Sequence, residues 1–232
     1  MQGLLSNYSR LVFPPRCTLC QRPGINRLDI CRHCYNALPF IMHACSQCAL
    51  PLETSTAVGG KCGQCLQSPP AFDAAFSLLR YQDLAAQLIT RYKFHDKLSY
   101  SGLLADLLLE RLPHIARPDC IIAVPLHVAR LRERGFNQSH ELAKIISPRL
   151  GIPLASDSVV RIRETQQQTG LNAKQRRKNI RGAFELVKPV AHNHVALLDD
   201  VVTTGSTVNE LARVLKRAGV KAVSVWSIAR AV

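Results

Sequence analysis

The 232-residue sequence lacks the features of membrane, secreted and disordered proteins. It has no apolar run near the roughly 18 residues that a membrane-crossing helix needs. Its first residues, MQGLLSNYSRLVFPPRC, lack a basic stretch followed by a long apolar one, so we predict no secretory signal and a cytoplasmic location. With 47% hydrophobic and 20% charged residues, the composition instead predicts one or two globular domains with a sizeable core.

Acidic and aromatic residues are also scarce. Sixteen acidic residues face 30 basic ones, a net charge of +14, and residues 127–181 alone hold twelve basic and four acidic residues. This excess suits a phosphate-rich partner such as nucleic acid, a nucleotide or pyrophosphate, although a solvated basic surface would give the same pattern. Only 6% of the residues are aromatic, so few side chains are available to stack on the bases of a tightly bound single strand.

Eight of the nine cysteines form four C-x-x-C pairs: CTLC, CRHC, CSQC and CGQC, separated by 10, 10 and 13 residues. Two such turns facing each other present four thiolates in the tetrahedral arrangement of a closed, structural zinc site. The predicted zinc ligands are Cys17, Cys20, Cys31, Cys34, Cys45, Cys48, Cys62 and Cys65. The simplest pairing places the first four around one zinc and the last four around another, while an interleaved pairing stays open.

Other cysteine chemistries fit less well. Disulfides need an oxidising compartment, and a redox C-x-x-C usually occurs once, on a helix after a strand. Iron–sulfur clusters stay chemically open because thiolates bind them too. Cys120 stands alone in an apolar run and is expected to be a buried core thiol.

The order of the remaining motifs predicts two domains. Residues 1–70 form a Cys-rich module that needs metal to fold, and residues 71–232 form the second domain. We predict strands at 72–81, 119–126, 157–162, 194–199 and 221–229, and helices at 83–93, 101–112, 137–147 and 206–218. Pro148 should end or kink the third helix. This alternation predicts an α/β fold, an open parallel sheet with helices on both faces.

The segment VALLDDVVTTGSTV, Val195–Val208, is the most informative stretch. An apolar strand ends in two adjacent acids, and a loop of small hydroxyl residues then leads into a helix. Ligands bind at the carboxyl ends of such strands, and the loop amides together with the helix N-terminus can hold a phosphate. The loop contains no lysine, so it is not a Walker-type loop. We predict a sugar-phosphate site, with acids for the hydroxyls and the loop for the phosphate.

This segment resembles the phosphoribosyl pyrophosphate (PRPP) signature of type I phosphoribosyltransferases. The resemblance implies that the acid pair binds the ribose hydroxyls, that the loop binds the 5′-phosphate, and that magnesium accompanies the diphosphate. The implied PRPP-binding residues are Asp199, Asp200, Thr203, Thr204, Gly205, Ser206 and Thr207.

Two basic segments extend the resemblance. VPLHVARLRERGFNQSHELA occupies the place of the pyrophosphate loop of these enzymes, and its Arg132 and Arg134 join Asp199 and Asp200 as candidate catalytic residues. RIRETQQQTGLNAKQRRKNIRGAF occupies the place of their flexible loop. Its candidate pyrophosphate or nucleic-acid ligands are Arg161, Arg163, Lys174, Arg176, Arg177, Lys178 and Arg181. Arginine suits both ligands because its planar fork binds phosphate oxygens in pairs.

Together with the cysteine pairs, the motifs RGFNQ, RRKNIRGAF, DDVVTTGST and a T-x-x-Q-x-x-L-like run at 165–171 resemble the ComF family, including its GntX-type DNA-utilisation proteins. The resemblance spans nearly the whole chain. It implies a double zinc ribbon fused to a phosphoribosyltransferase-like domain. It also implies handling of single-stranded DNA during uptake or use of DNA, with competence proteins as partners. An active transferase with an unidentified acceptor, or a sensor of PRPP or nucleotides, are the alternatives.

Overall fold

A four-stranded parallel sheet forms the centre of the protein. The computed structural model describes residues 14–26, 28–53, 60–94, 97–112, 117–164 and 180–232. Its strands are β1 (Ala74–Arg80), β2 (Cys120–Ala123), β3 (Val159–Arg161), β4 (Phe184–Leu186), β5 (His194–Val202) and β6 (Ala222–Arg230). The sheet order is β1–β6–β5–β2, and each neighbouring pair is parallel. The short β3 and β4 pair antiparallel in a separate hairpin.

Helices cover both faces of the sheet. The helices α3 (Asp83–Phe94), α4 (Lys97–Arg111) and α6 (Gln138–Leu150) pack on one face, and α7 (Ser206–Arg217) packs on the other. Two short helices, α1 (Arg32–Asn36) and α2 (Gly63–Gln67), lie in the Cys-rich segment, and the short helix α5 (Val128–Arg134) has no buried residue. Successive side chains of β5 point to opposite faces, so Leu198 packs into a core with α3, α4 and α6 while Leu197 packs into a core with α7 and the hairpin. This two-sided burial explains why the strands read as nearly continuous apolar runs.

The predicted α/β fold class is confirmed, with differences at three places. The strand predicted at 157–162 exists as β3, but it lies outside the main sheet. The helix predicted at 137–147 does not end at Pro148 and runs to Leu150, where Gly151 closes it in the left-handed conformation. Pro148 removes one helical hydrogen bond, and the helix continues for only two residues beyond it. The sequence prediction missed α5, β4 and the two short helices of the Cys-rich segment, α1 and α2.

The first cysteine cluster (Cys17, Cys20, Cys31 and Cys34) is built into the larger core. Cys17 and Ile30 are fully buried in the same apolar cluster as Leu104 of α4. The hydroxyl of Tyr100, on α4, donates to the backbone oxygen of Thr18 at 3.1 Å. The Cys-rich segment therefore packs directly on the sheet domain, and the boundary at residue 70 stays a prediction. Within the described ranges we find no helix with the length and apolar character needed to cross a bilayer.

Candidate functional site

A cavity of about 190 Å³ opens at the carboxyl end of β5. Asp199 and Asp200 lie on one side of it, and residues of the loop 203–207 lie on another. Tyr81, after β1, and Lys93, at the end of α3, complete the polar lining. The structure thus brings the predicted acid pair and the predicted phosphate loop to one cavity. This is the sheet edge at which open α/β folds bind their ligands.

The two acids have different partners. Asp199 Oδ1 accepts from the hydroxyl of Ser139, in the first turn of α6, at 3.0 Å and from the backbone N–H of Asp200 at 2.9 Å. Asp200 Oδ2 forms a 2.9 Å ion pair with the Nζ of Lys93, and both side chains are mostly buried. Asn137 caps α6 by accepting from the backbone N–H of Ser139, which fixes the serine beside Asp199.

Burial is the main influence on the Asp199 carboxyl. It raises the pKa of Asp199 to about 8, and the nearby negative charge of Asp200 acts in the same direction. The hydrogen bonds to Asp199 and the positive charge of Lys93 oppose the rise in pKa. Two acids side by side cannot both ionise cheaply, so near neutral pH the ligand-free site favours a protonated Asp199.

The phosphate loop has the backbone geometry of an anion-binding turn. Gly205 adopts the left-handed conformation (φ 73°) and precedes α7, a twelve-residue helix that begins at Ser206. A left-handed residue next to a helical one turns successive N–H groups toward a common point, to which the helix N-terminus adds partial positive charge. The hydroxyls of Thr204 and Ser206 bond each other at 2.8 Å, which fixes the turn. Thr203, Gly205, Ser206 and Thr207 line the cavity, whereas Thr204 lines a second cavity on the other side of the loop.

The arginines of the predicted pyrophosphate loop lie on α5. Arg132 is exposed on this helix, and Arg134 is half-buried with its Nη1 3.4 Å from the Oε1 of Gln138. His127 caps α5 by accepting from the backbone N–H of Ala129. The helix follows β2, the strand next to β5, so these arginines belong to the same sheet edge as the acid pair.

The arginines of the second basic segment flank the site from the hairpin. Arg161, in β3, is half-buried, and burial lowers its pKa while the negative charge of Asp199 acts in the opposite direction. Arg163 is exposed and donates to the backbone oxygen of Arg181 at 2.6 Å, which closes the base of the segment. Its remaining predicted ligands, Lys174, Arg176, Arg177 and Lys178, and the run at 165–171 lie outside the described residues.

The eight paired cysteines form two separate clusters. Cys17, Cys20, Cys31 and Cys34 group together, as do Cys45, Cys48, Cys62 and Cys65, and the ligand atoms of each group lie within 4.8 Å of one another. This settles the pairing as sequential. Distances between sulfur atoms of 3.5 Å (Cys20–Cys31) and 3.7 Å (Cys48–Cys62) match the roughly 3.8 Å edge of a tetrahedron with 2.3 Å zinc–sulfur bonds.

The cysteine clusters also have the chemistry of metal ligands. All nine cysteines are free thiols in the structure. Each cluster has a backbone N–H directed at one of its sulfur atoms: that of Cys34 donates to Cys31 Sγ, and that of Cys62 donates to Cys45 Sγ at 3.2 Å. These hydrogen bonds favour the thiolate that zinc requires. Four thiolates fill a tetrahedral site, so both clusters fit structural zinc. Cys120 is fully buried in the sheet, as expected for a core thiol.

Sequence reasoning missed four polar residues at this edge: Tyr81, Lys93, Ser139 and Arg230. Lysines are common on exposed helix surfaces, and no local sequence pattern indicates that Lys93 belongs to the site. Ser139 follows the RGFNQ motif directly, so it could have been found by extending that motif by one residue. Arg230 ends the last strand and is buried at 6% exposure, which the sequence gives no reason to expect.

The fold and the site together define a phosphoribosyltransferase-type domain preceded by a double zinc ribbon. Two family models agree: the double zinc ribbon domain matches residues 8–66 and the phosphoribosyl transferase domain matches residues 137–231. With close relatives along nearly its whole length, the chain belongs to the ComF family.

Three relatives show the extent of this similarity. The DNA utilization protein YhgH of Escherichia coli is 38% identical over 227 residues, which cover 95% of this chain and 99% of that protein. Competence protein F of Haemophilus influenzae is 34% identical over 224 residues, 93% of this chain and 90% of its own. Competence protein ComFC of Streptococcus pneumoniae is 25% identical over 157 residues, 66% of this chain and 67% of its own.

Proposed function

We propose that this protein serves the uptake or use of DNA and handles single-stranded DNA, with the cavity at the end of β5 as its binding site for PRPP or a related phosphate. The observation that supports the proposal is the convergence of the acid pair and the phosphate loop on one cavity. The DNA role rests on the names of the relatives, which refer to DNA utilization and competence.

Each part of the cavity has a chemical task in this proposal. Asp199 and Asp200 accept hydrogen bonds from the two ribose hydroxyls. The amides and hydroxyls of 203–207 hold the 5′-phosphate at the N-terminus of α7. Arg161 and Arg134 reach the diphosphate from the neighbouring elements and bind its oxygens. Magnesium, when it accompanies the ligand, screens the charge of the diphosphate.

The DNA role assigns the exposed basic side chains to the phosphate backbone. Arg132, Arg163 and Arg181 are exposed around the site. With the basic residues of 174–178, they would attract a single strand through charge, and the few aromatic residues of the chain predict a weak, salt-sensitive association. We place the protein in the cytoplasm, where its free thiols stay reduced. DNA-uptake proteins are the expected partners.

The site assignment is tested by titrating Mg·PRPP into zinc-loaded protein in a calorimeter. We expect binding by the wild type and loss of binding by Asp199→Asn/Asp200→Asn, with thermal unfolding showing that the variant is folded. Asp157→Asn is the matched control, because Asp157 is an exposed acid paired with Lys188 on the hairpin side of the protein. Wild-type affinity retained by the double variant would overturn the assignment.

Transferase activity is a second candidate, favoured by the position of Arg161 within reach of the charge of Asp199. In such a reaction, an acceptor nitrogen would attack C1 of the ribose. The bond from C1 to the diphosphate would break, and pyrophosphate would leave with both bonding electrons. Arg161 and Arg134 would stabilise its developing negative charge. A screen of bases and amines for pyrophosphate release tests this candidate, and release that persists in Arg161→Met would exclude the role of Arg161.

A further inference from the structure

A single buried side chain joins the second cysteine cluster to the phosphate loop. Arg230, the last residue of β6, is 6% exposed. Its Nε donates to the backbone oxygen of Cys48, a member of the cluster, at 3.1 Å. Its Nη1 donates to the backbone oxygen of Val202 at 3.3 Å and to that of Thr203. The guanidinium therefore connects the C-x-x-C turn that contains Cys48 to the start of the phosphate loop, and it fixes the position of one relative to the other.

The charge of Arg230 has no carboxylate partner within the described residues. Its recorded acceptors are carbonyl oxygens, including that of Ala231. A buried cation is costly unless anions lie nearby. Two groups would supply negative charge beside it: the second cysteine cluster, which with four thiolates and one zinc ion would have a net charge of −2, and a phosphate bound by the loop.

The back of the phosphate loop is not filled by side chains. A second cavity, of about 90 Å³, lies between the second cysteine cluster (Cys45, Cys48, Cys62 and Cys65) and the phosphate loop. Cys48 and Cys65 line one side, Thr204 and Gly205 the other, and Arg230 spans the gap. On this side of the loop, Arg230 provides hydrogen bonds to the backbone oxygens of Val202 and Thr203.

The first cysteine cluster has a different setting. Its neighbourhood packs on α4, through the bond from Tyr100 to Thr18 and through Arg111, whose guanidinium lies 3.8 Å from the centre of the Phe40 ring. Within the described residues, the hydrogen-bonded connection from a cysteine cluster through Arg230 to the phosphate loop begins at Cys48, in the second cluster. The two clusters therefore differ in what they support.

We infer that Arg230 is a positioning residue that makes phosphate binding depend on the second cysteine cluster and not on the first. The inference rests on the proposed function, because it concerns the affinity of the same loop. It has a reciprocal consequence. If metal in the second cluster strengthens phosphate binding, a bound phosphate ligand must strengthen metal retention by the same factor.

The first test compares Arg230→Met with wild type in the Mg·PRPP titration. We expect the dissociation constant to rise about tenfold, within the usual range for coupled sites, while zinc content stays at about two per chain. Arg230→Lys, which keeps the charge but not the planar fork, should recover part of the affinity. Arg111→Met, at the first cluster, is the matched control and should bind like wild type. Equal affinities of Arg230→Met and wild type would overturn the inference.

The second test follows zinc release to a zinc-selective chelator without any ligand. Arg230→Met should lose one of its two zinc ions several-fold faster than wild type, and Arg111→Met should not lose the second-cluster ion faster. Added Mg·PRPP should slow the release of one ion in wild type and have a smaller effect in Arg230→Met. Cys20→Ser, which removes the first site, shows which ion responds.

The outcomes separate the two proposals. A wild type that fails to bind Mg·PRPP refutes the proposed ligand, and the ligand-free release rates then still decide whether Arg230 supports the second cluster. Release rates that match between Arg230→Met and wild type refute the bridge. Where Arg230→Met does not fold, Arg230→Lys serves in both measurements.

Discussion

Replacing Asp199 by asparagine should stabilise the protein, and by more at high pH than at low pH. The folded protein raises the pKa of this carboxyl to about 8, from a value near 4 in an unfolded chain. A raised pKa means that the fold favours the protonated form. The favourable contribution of the Asp199 carboxyl to the free energy of unfolding is complete below about pH 4, and it is lost as the pH rises toward 8. Asparagine keeps the acceptor for Ser139 and the Asp200 amide and carries no charge to desolvate.

The magnitude follows from the same pKa. Each unit of pKa is worth about 1.4 kcal/mol, so the stability difference between variant and wild type should grow by about 3 kcal/mol from pH 5.5 to pH 8.5. For a chain of this size, that corresponds to roughly 6 to 12 °C in the unfolding temperature. The titration of Asp199 is coupled to the adjacent Asp200, which pairs with Lys93. The measured transition therefore belongs to these groups together and not to one carboxyl.

Thermal unfolding of zinc-loaded wild type and variant at pH 5.5, 7 and 8.5 measures this difference. Any pH effect on the cysteine clusters is common to both proteins and cancels. Asp157→Asn is again the control, because the hydrogen bond from Lys188, together with its positive charge, lowers the pKa of Asp157. The stability that Asp157 contributes is lost only below about pH 4. The difference in unfolding temperature between Asp157→Asn and wild type should therefore be constant from pH 5.5 to pH 8.5. A stability gain by Asp199→Asn that does not change with pH would refute the reasoning.

Three further expectations concern other parts of the molecule. The double variant Cys17→Ser/Cys31→Ser should lower zinc from about two to one per chain by elemental analysis, whereas interleaved sites would lose both ions. Asn137→Ala should lower the unfolding free energy by about 1 to 2 kcal/mol in denaturant titrations, because it removes the cap of α6 and the hydrogen bond from Asn137 Nδ2 to the backbone oxygen of Val124; Asn137→Ser, which keeps a capping acceptor but not this donor, should lose less. Neutralising the four basic side chains of 174–178 should weaken single-stranded DNA binding and flatten its salt dependence by about 0.7 per lost phosphate contact, and an unchanged slope would exclude those contacts.

The parts of this protein that the sequence could predict are those encoded by neighbouring residues. The C-x-x-C spacing predicts the zinc ligands, and the run from Asp199 to Thr207 contains a strand end, a turn and a helix start in unbroken order. The contacts that complete the site are between distant segments. Lys93 meets Asp200 across more than a hundred residues, and Arg230 meets Cys48 across 182. No local spacing encodes such pairs.

Two of the missed elements, α5 and β4, were missed for a different reason. The helix α5 contains the charged stretch RLRER, and its apolar Val128 and Leu131 are exposed, so it has no buried apolar stripe to give the helical period. The strand β4 has only three residues, too short for an alternating pattern to be recognised. Both depend on the surrounding structure more than on their own composition.

The segment that contains the first cysteine cluster shares an apolar core with α4, and this limits how the chain can be cut into fragments. A fragment beginning at residue 71 would uncover the apolar surface on which Cys17, Ile30 and Leu38 now pack. A fragment of the ribbons alone would lose the other half of the same contact. Exposed apolar patches of this kind promote aggregation. Although the two modules are recognisable separately in the sequence, they share one apolar cluster, so we expect each fragment to be less stable and more prone to aggregate than the whole chain.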